Sequence, residues 1–254
     1  MGRPPRLKKQ NQAKTGRSPN PDMPALLTTP KRAFILKINL SEMEMMRLCI
    51  FGAAGRTGIE TVNCARAHGF KVVACAYRDG AINRFPTDVT VKKGNVMDYG
   101  SVLEAIRGSH AVISVVGHIK GSDPFMQTKG MVNLAKAMEE TGIRRLLSLT
   151  GTGARMIGDK PSILDKVLNS IVGIVDPERI SDGVEHINVL RKSNLDWTVV
   201  RVLKLGNSKR KISKYKLTAG GPAEPLTSRK KAARVLVDLV NIKEYLGELP
   251  IISG

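Results

Sequence analysis

The feature that most constrains this chain is the heptapeptide Gly52-Ala53-Ala54-Gly55-Arg56-Thr57-Gly58. It follows the short apolar run Arg47-Leu48-Cys49-Ile50-Phe51 directly. It opens a stretch of helical periodicity, Thr57 to His68, that stops at Gly69. At a strand–turn–helix junction each glycine has a distinct task. Gly52 permits the tight turn, Gly55 lets backbone N–H groups approach a pyrophosphate, and Gly58 lets the helix lie close on the strand. The helix N-terminus adds unpaired N–H groups and the positive end of its dipole. The spacing therefore predicts a phosphate-binding loop made by Gly52, Ala53, Gly55, Arg56, Thr57 and Gly58.

The remaining pattern continues the alternation. Strands are expected at Lys71–Tyr77, Val89–Lys92, Ala111–Val116, Arg145–Thr150 and Trp197–Val202, with helices at Tyr99–Arg107, Pro124–Glu140 and Ser228–Asn241. Asp176 and Glu178, around Pro177, read as the N-terminal residues of a further helix that carries His186. Near-continuous aliphatic strands separated by helices predict an α/β fold. It is a Rossmann-like, doubly wound parallel sheet in three layers, with a small C-terminal substrate-side lobe. The expected division is a basic, Pro-rich, disordered segment over 1–45 and one nucleotide-binding domain over 46–254. Residues 1–45 are open to three readings: a basic arm, an organelle-targeting peptide, or a start placed too early, since Met43, Met45 and Met46 precede the first strand.

Composition narrows the function. Aromatic residues are 4% of the chain, so platforms for stacking single-stranded bases are scarce and nucleic acid is an unlikely partner. The net charge is +19, and residues 1–40 hold nine of the 41 basic and one of the 22 acidic residues, leaving +11 on the body. Such a body could attract polyanions, although a solvated basic surface is the favoured account of it. Cys49, Cys64 and Cys75 form no metal-binding pattern, so no metal site is expected, and Cys49 and Cys75 read as small buried hydrophobes. No apolar run is long enough to cross a bilayer. The expected setting is the cytoplasm, the expected partner a small molecule, and no oligomeric state beyond a monomer is implied.

The end of the second strand selects the cofactor. An acidic residue there holds a ribose 2′-hydroxyl, and an arginine there holds a 2′-phosphate. Arg78 lies twenty residues beyond Gly58, with Arg56 as a second cation, which favours NADP. The adjacent Asp79 keeps NAD possible. For proton transfer, His118 follows the fourth strand and reads either as a solvent-facing loop histidine or as a donor near the nicotinamide. His186 is expected to border the substrate cleft. Thr150 lies at the carboxyl end of a strand, where ligands bind in open α/β sheets.

The loop GAAGRTG, the strand ending YRD, GNVMD at 94–98 and AVISVVG at 111–117 together resemble atypical short-chain dehydrogenases. The likeness is to biliverdin reductase B-like (flavin reductase-like) and NmrA-like proteins. It implies that Arg78, with Arg84, holds the 2′-phosphate and that Asn95 and Val96 flank the adenine. Val116, Gly117 and His118 would line the ribose and nicotinamide side, and Thr150 and Gly151 would sit beside the nicotinamide. The chain departs from that pattern in several places. Asn95 and Gly151 stand where relatives carry Asp and Ser, and no Tyr-x-x-x-Lys pair is present. The resemblance implies an NADPH-dependent oxidoreductase passing hydride to a flavin, quinone or tetrapyrrole. The alternative is a non-catalytic NADP-binding redox sensor.

Overall fold

Side chains alternate between the two faces along each strand and divide the core into two halves on either side of one sheet. In the computed structural model, which describes residues 46–77, 80–119, 121–207 and 214–253, β1 (Arg47–Phe51) sends Leu48 and Ile50 to one face and Cys49 and Phe51 to the other. The other strands are β2 (Lys71–Ala76), β3 (Thr90–Lys93), β4 (Ala111–Ser114), β5 (Arg145–Gly151), β6 (Asp196–Val202), β8 (Lys216–Thr218) and β10 (Ile251–Ser253). They form one eight-stranded sheet in the order β3-β2-β1-β4-β5-β6-β10-β8. All neighbours are parallel except the β10–β8 pair at the edge. The C-terminal segment thus extends the main sheet, and it also pairs β7 (Leu205–Gly206) with β9 (Thr227–Ser228).

Helices cover both faces, as the aliphatic strands require. α1 (Arg56–Ala67) and α6 (Arg229–Asp238) pack on the Leu48/Ile50 face. α2 (Tyr99–Ile106), α3 (Met126–Thr141) and α5 (Pro177–Arg191) pack on the Cys49/Phe51 face. Cys49 and Cys75 are fully buried with their sulfurs 3.2 Å apart. The sequence marks the start of α5 well. The Asp176 side chain accepts from the Arg179 N–H, and Pro177 occupies the first turn, where its missing N–H costs nothing. α4 (Ile163–Val175) has no counterpart in the sequence expectation. It leaves an apolar stripe to solvent, with Ile163 and Ile174 81% and 82% exposed.

One buried charge ties the C-terminal segment to the sheet. Arg201, in β6, has no exposed surface. It donates to both Asp159 oxygens at 2.5 and 2.9 Å, and to the carbonyls of Ala154, Ala219 and Leu249 at 3.0–3.1 Å. Three separate stretches of chain, at 154–159, 219 and 249, thereby converge on one guanidinium, whose planar fork suits bidentate pairing. Residues 1–45, Arg78, Asp79 and Lys209–Lys211 lie outside the described residues, as do the expectations placed on them.

Candidate functional site

The strand order reverses between β1 and β4, since β2 and β3 lie to one side and β5 and β6 to the other. That crevice at the carboxyl ends is where open α/β sheets bind ligands. The glycine loop lies over it. Gly52 has φ +75°, and an added Cβ there would stand 3.0 Å from the backbone of Val115 and Val116, beyond β4. The Gly55 N–H donates to Gly52 O at 3.0 Å, closing the turn. A Cβ on Gly58 would stand 2.1 Å from Gly52 O and 2.6 Å from Ala53 Cα, so only hydrogen fits where α1 leaves the loop. The cradle has the shape that a pyrophosphate requires.

The start of α1 has the matching electrostatics. Its N-cap, Gly55, supplies no side-chain acceptor, and its first turn has no acidic residue. The other described α-helices differ. Asp98, Ser162, Asp176 and Ser228 cap their own helices, and Asp182 of α5 accepts from the first turn of α3. α1 thus keeps its positive end for an outside anion. Three cations surround the loop. Arg56 is exposed on it, and Arg84 donates to Ala54 O at 3.2 Å. Arg229, at the start of α6, is lowered by burial and then by the charge of Arg56. Sequence reasoning missed Arg229, because only the packing of α6 on α1 brings it there.

The adenine-side expectations fall on one turn. Asn95 Oδ1 accepts from the Met97 N–H at 3.0 Å, and Val96 O accepts from Asn133 Nδ2 of α3 at 2.8 Å. Val96 is buried and packs so closely on α3 that a Cβ on Gly130 would stand 2.9 Å from it. Val116 lines a small internal cavity, and Gly117 is exposed with open space around it.

One face of α5 organises the three candidates for proton transfer. Asp182, Gly183 and His186 lie within about one turn of each other. Asp182 reaches His118, in the loop after β4, at 2.8 Å. Gly183 faces Thr150 of β5, whose Oγ1 would be 3.0 Å from a Cβ there. Thr150 is buried and Gly151 exposed at the strand end. His118 is therefore anchored rather than a solvent-facing loop histidine, because a buried carboxylate holds its ring. It lines an open cleft with Ser122, Pro124, Asp176 and Arg179.

His186 departs from its expected place on the substrate cleft. It is fully buried, with Nδ1 3.1 Å from Gly183 O and Nε2 3.3 Å from Ser148 Oγ. Burial pushes its pKa down from 6.5 to about 4, against the Gly183 carbonyl and the charge of Asp182. The unfolded chain takes up this proton near pH 6.5 and the folded chain only near pH 4. Stability present above pH 6.5 is therefore lost as the pH falls between those values, by about 3 kcal/mol. The unfolding free energy of wild type relative to His186→Leu, read from urea titrations, is expected to drop by that amount from pH 7 to 4. A pH-independent difference would contradict this reading.

Comparisons with known proteins agree with this geometry. A family model described as NAD(P)H-binding matches residues 52–243. A short-chain dehydrogenase/reductase from Veillonella parvula, solved in complex with NADP, superposes with a TM-score of 0.66 at 19% identity, covering 82% of this chain and 94% of that one. ChuY, an anaerobilin reductase from Escherichia coli O157:H7, gives 0.67 at 19% identity, over 82% of this chain and 97% of its own. The oxidoreductase ylbE from Lactococcus lactis gives 0.69 at 17% identity, over 82% and 91%. At these identities the likeness is one of fold. The family match is broader in meaning, because it starts at the first glycine of the phosphate loop and runs past the end of α6. This chain belongs to the NAD(P)H-binding family and has the Rossmann fold of the short-chain dehydrogenases.

Proposed function

We propose that the protein is an NADPH-dependent oxidoreductase acting on a small planar acceptor, with linear tetrapyrroles and flavins the favoured class. The observation that carries this reading is the glycine cradle and uncapped start of α1, set beside the cleft that His118 lines. The bound cofactor would supply hydride there. The chain's own residues bind and orient. Gly52, Ala53, Gly55 and the first N–H groups of α1 take the pyrophosphate, Asn95 and Val96 take the adenine side, and Val116, Gly117, Thr150 and Gly151 border the nicotinamide side. The fold shared with an anaerobilin reductase supports the tetrapyrrole class.

The choice of NADP rests on Arg78, twenty residues beyond Gly58 in the sequence, with Arg84 and Arg56 as further cations at the glycine loop. Arg78→Ala is expected to weaken NADPH binding by about 1.5–3 kcal/mol, the scale of a charged hydrogen bond, and to leave NADH binding unchanged. Titration of cofactor fluorescence with both nucleotides checks this, and equal losses would place the 2′-phosphate elsewhere.

The overall reading is tested by following NADPH absorbance as the purified protein meets flavins, quinones and linear tetrapyrroles. Consumption with at least one acceptor is expected. Tight NADPH binding with no consumption by any acceptor would favour a non-catalytic redox sensor instead.

A further inference from the structure

We infer that Asp182 is a positioning residue that fixes His118 as the proton donor facing the acceptor cleft. The inference rests on the oxidoreductase reading above. Asp182 has no exposed surface, and each of its carboxylate oxygens takes two partners. Oδ1 accepts from the Thr128 N–H at 2.8 Å and the Thr128 hydroxyl at 2.6 Å. Oδ2 accepts from the Gln127 N–H at 3.0 Å and from His118 Nε2 at 2.8 Å. A carboxylate only accepts, so the ring nitrogen that meets it carries hydrogen. Nε2 of His118 is thereby committed to Asp182, and Nδ1 is left to serve the cleft.

The surroundings suit that task. His118 lies between Gly117 and Ile119, both exposed, in a loop that does not by itself hold an imidazole in one orientation. The clamp comes from α5, and the same carboxylate accepts from the first turn of α3. The other charged groups near the ring are Asp123 in its own loop, itself paired with Lys129 of α3, and Asp176, Glu178 and Arg179 at the start of α5. His118 thus sits at the wet end of the site, with a dry partner behind it. A planar acceptor that gains hydride, on a bridging carbon of a linear tetrapyrrole or a ring nitrogen of a flavin, gains two electrons and one hydrogen and becomes an anion on another conjugated nitrogen or oxygen. The N–H bond at His118 Nδ1 of the imidazolium breaks as that proton bonds to the acceptor. The ring becomes neutral and is reprotonated from water through the cleft. The acceptor has then gained two electrons and two hydrogens.

Nitrogen-15 spectra of the imidazole side chains read the arrangement in the full chain without any acceptor. At a pH where the imidazole is neutral, the expected result is hydrogen on Nε2 and none on Nδ1, the nitrogen that takes up and gives the transferable proton. That single tautomer should be lost in Asp182→Asn, whose amide cannot accept from every donor now converging on it. His118→Gln keeps a donor for Asp182 and so keeps the fold, yet has no proton to give. Each variant is expected to lower kcat for NADPH oxidation by about 10²-fold, the lower end for general acid catalysis, with KM for NADPH unchanged. The double variant should be no slower than either single one. A neutral wild-type His118 with its hydrogen on Nδ1 instead of Nε2, or an Asp182→Asn protein that keeps both the tautomer and kcat, would overturn the inference. Failure of the wild-type protein to turn over any acceptor would instead sink the oxidoreductase reading, and the nitrogen assignment would still decide the pairing.

Discussion

A Gly58→Ala variant is expected to lose about 100-fold or more in NADPH affinity, the equivalent of roughly 3 kcal/mol. The added methyl group would stand 2.1 Å from Gly52 O and 2.6 Å from both Ala53 Cα and Ala53 O. All three are backbone atoms with no rotamer to yield, so the start of α1 must move away from the loop. Overpacking of this kind costs about 1–3 kcal/mol even where side chains adjust. Here the displacement falls on the N–H groups proposed to take the pyrophosphate, so binding is expected to suffer in addition to stability. Gly100→Ala, at the start of α2, is the control. Its Cβ would meet only Asp98 Oδ1 at 3.5 Å, ordinary contact, and alanine suits a helix better than glycine. Cofactor titration and thermal melting of both variants separate the outcomes. Wild-type NADPH affinity in Gly58→Ala would show that the loop relaxes around a side chain and that the close approach is unnecessary.

The second large effect is expected at Arg201. Arg201→Met should destabilise the fold by about 3–5 kcal/mol, the cost of stranding one member of a buried ion pair. Asp159 would be left as a nearly buried charge, and the carbonyls of Ala154, Ala219 and Leu249 would each lose a donor. Adding Asp159→Leu should recover part of the loss, because the uncompensated charge goes with it. Urea midpoints for the single and double variants measure both steps. A loss under about 1 kcal/mol in Arg201→Met, the level of an exposed pair, would mean that water reaches the site.

The legible parts of this protein are those in which the cause is local. The glycine loop shows because Gly52, Gly55 and Gly58 sit between a short apolar run and a helical period, and those residues alone dictate the turn. β1, β2, β4, β5 and β6 show because a strand buried on both faces must be almost wholly aliphatic. α4 does not show. Its Ile163, Val167, Ile171 and Ile174 are apolar at helical spacing but face solvent, and β-branched residues with Gly173 dilute its helical propensity. Asp182 carries no signal either, since its partners are His118, 64 residues away, and Gln127 and Thr128, 55 and 54 away. His186 was legible as a helix residue but not as a buried one. A single turn of α5 separates a side chain that reaches the loop from one that faces Ser148.

The shared carboxylate of Asp182 also bears on how the site comes apart. Helix ends are the first segments to fray, because their terminal N–H groups have no intrahelical partners. In α3 two of those groups are held by the same side chain that holds His118. Opening of the first turn of α3 and loss of the histidine's orientation are therefore one event with one free energy. The lifetime of an oriented His118 is set by how firmly a neighbouring helix keeps its first turn wound.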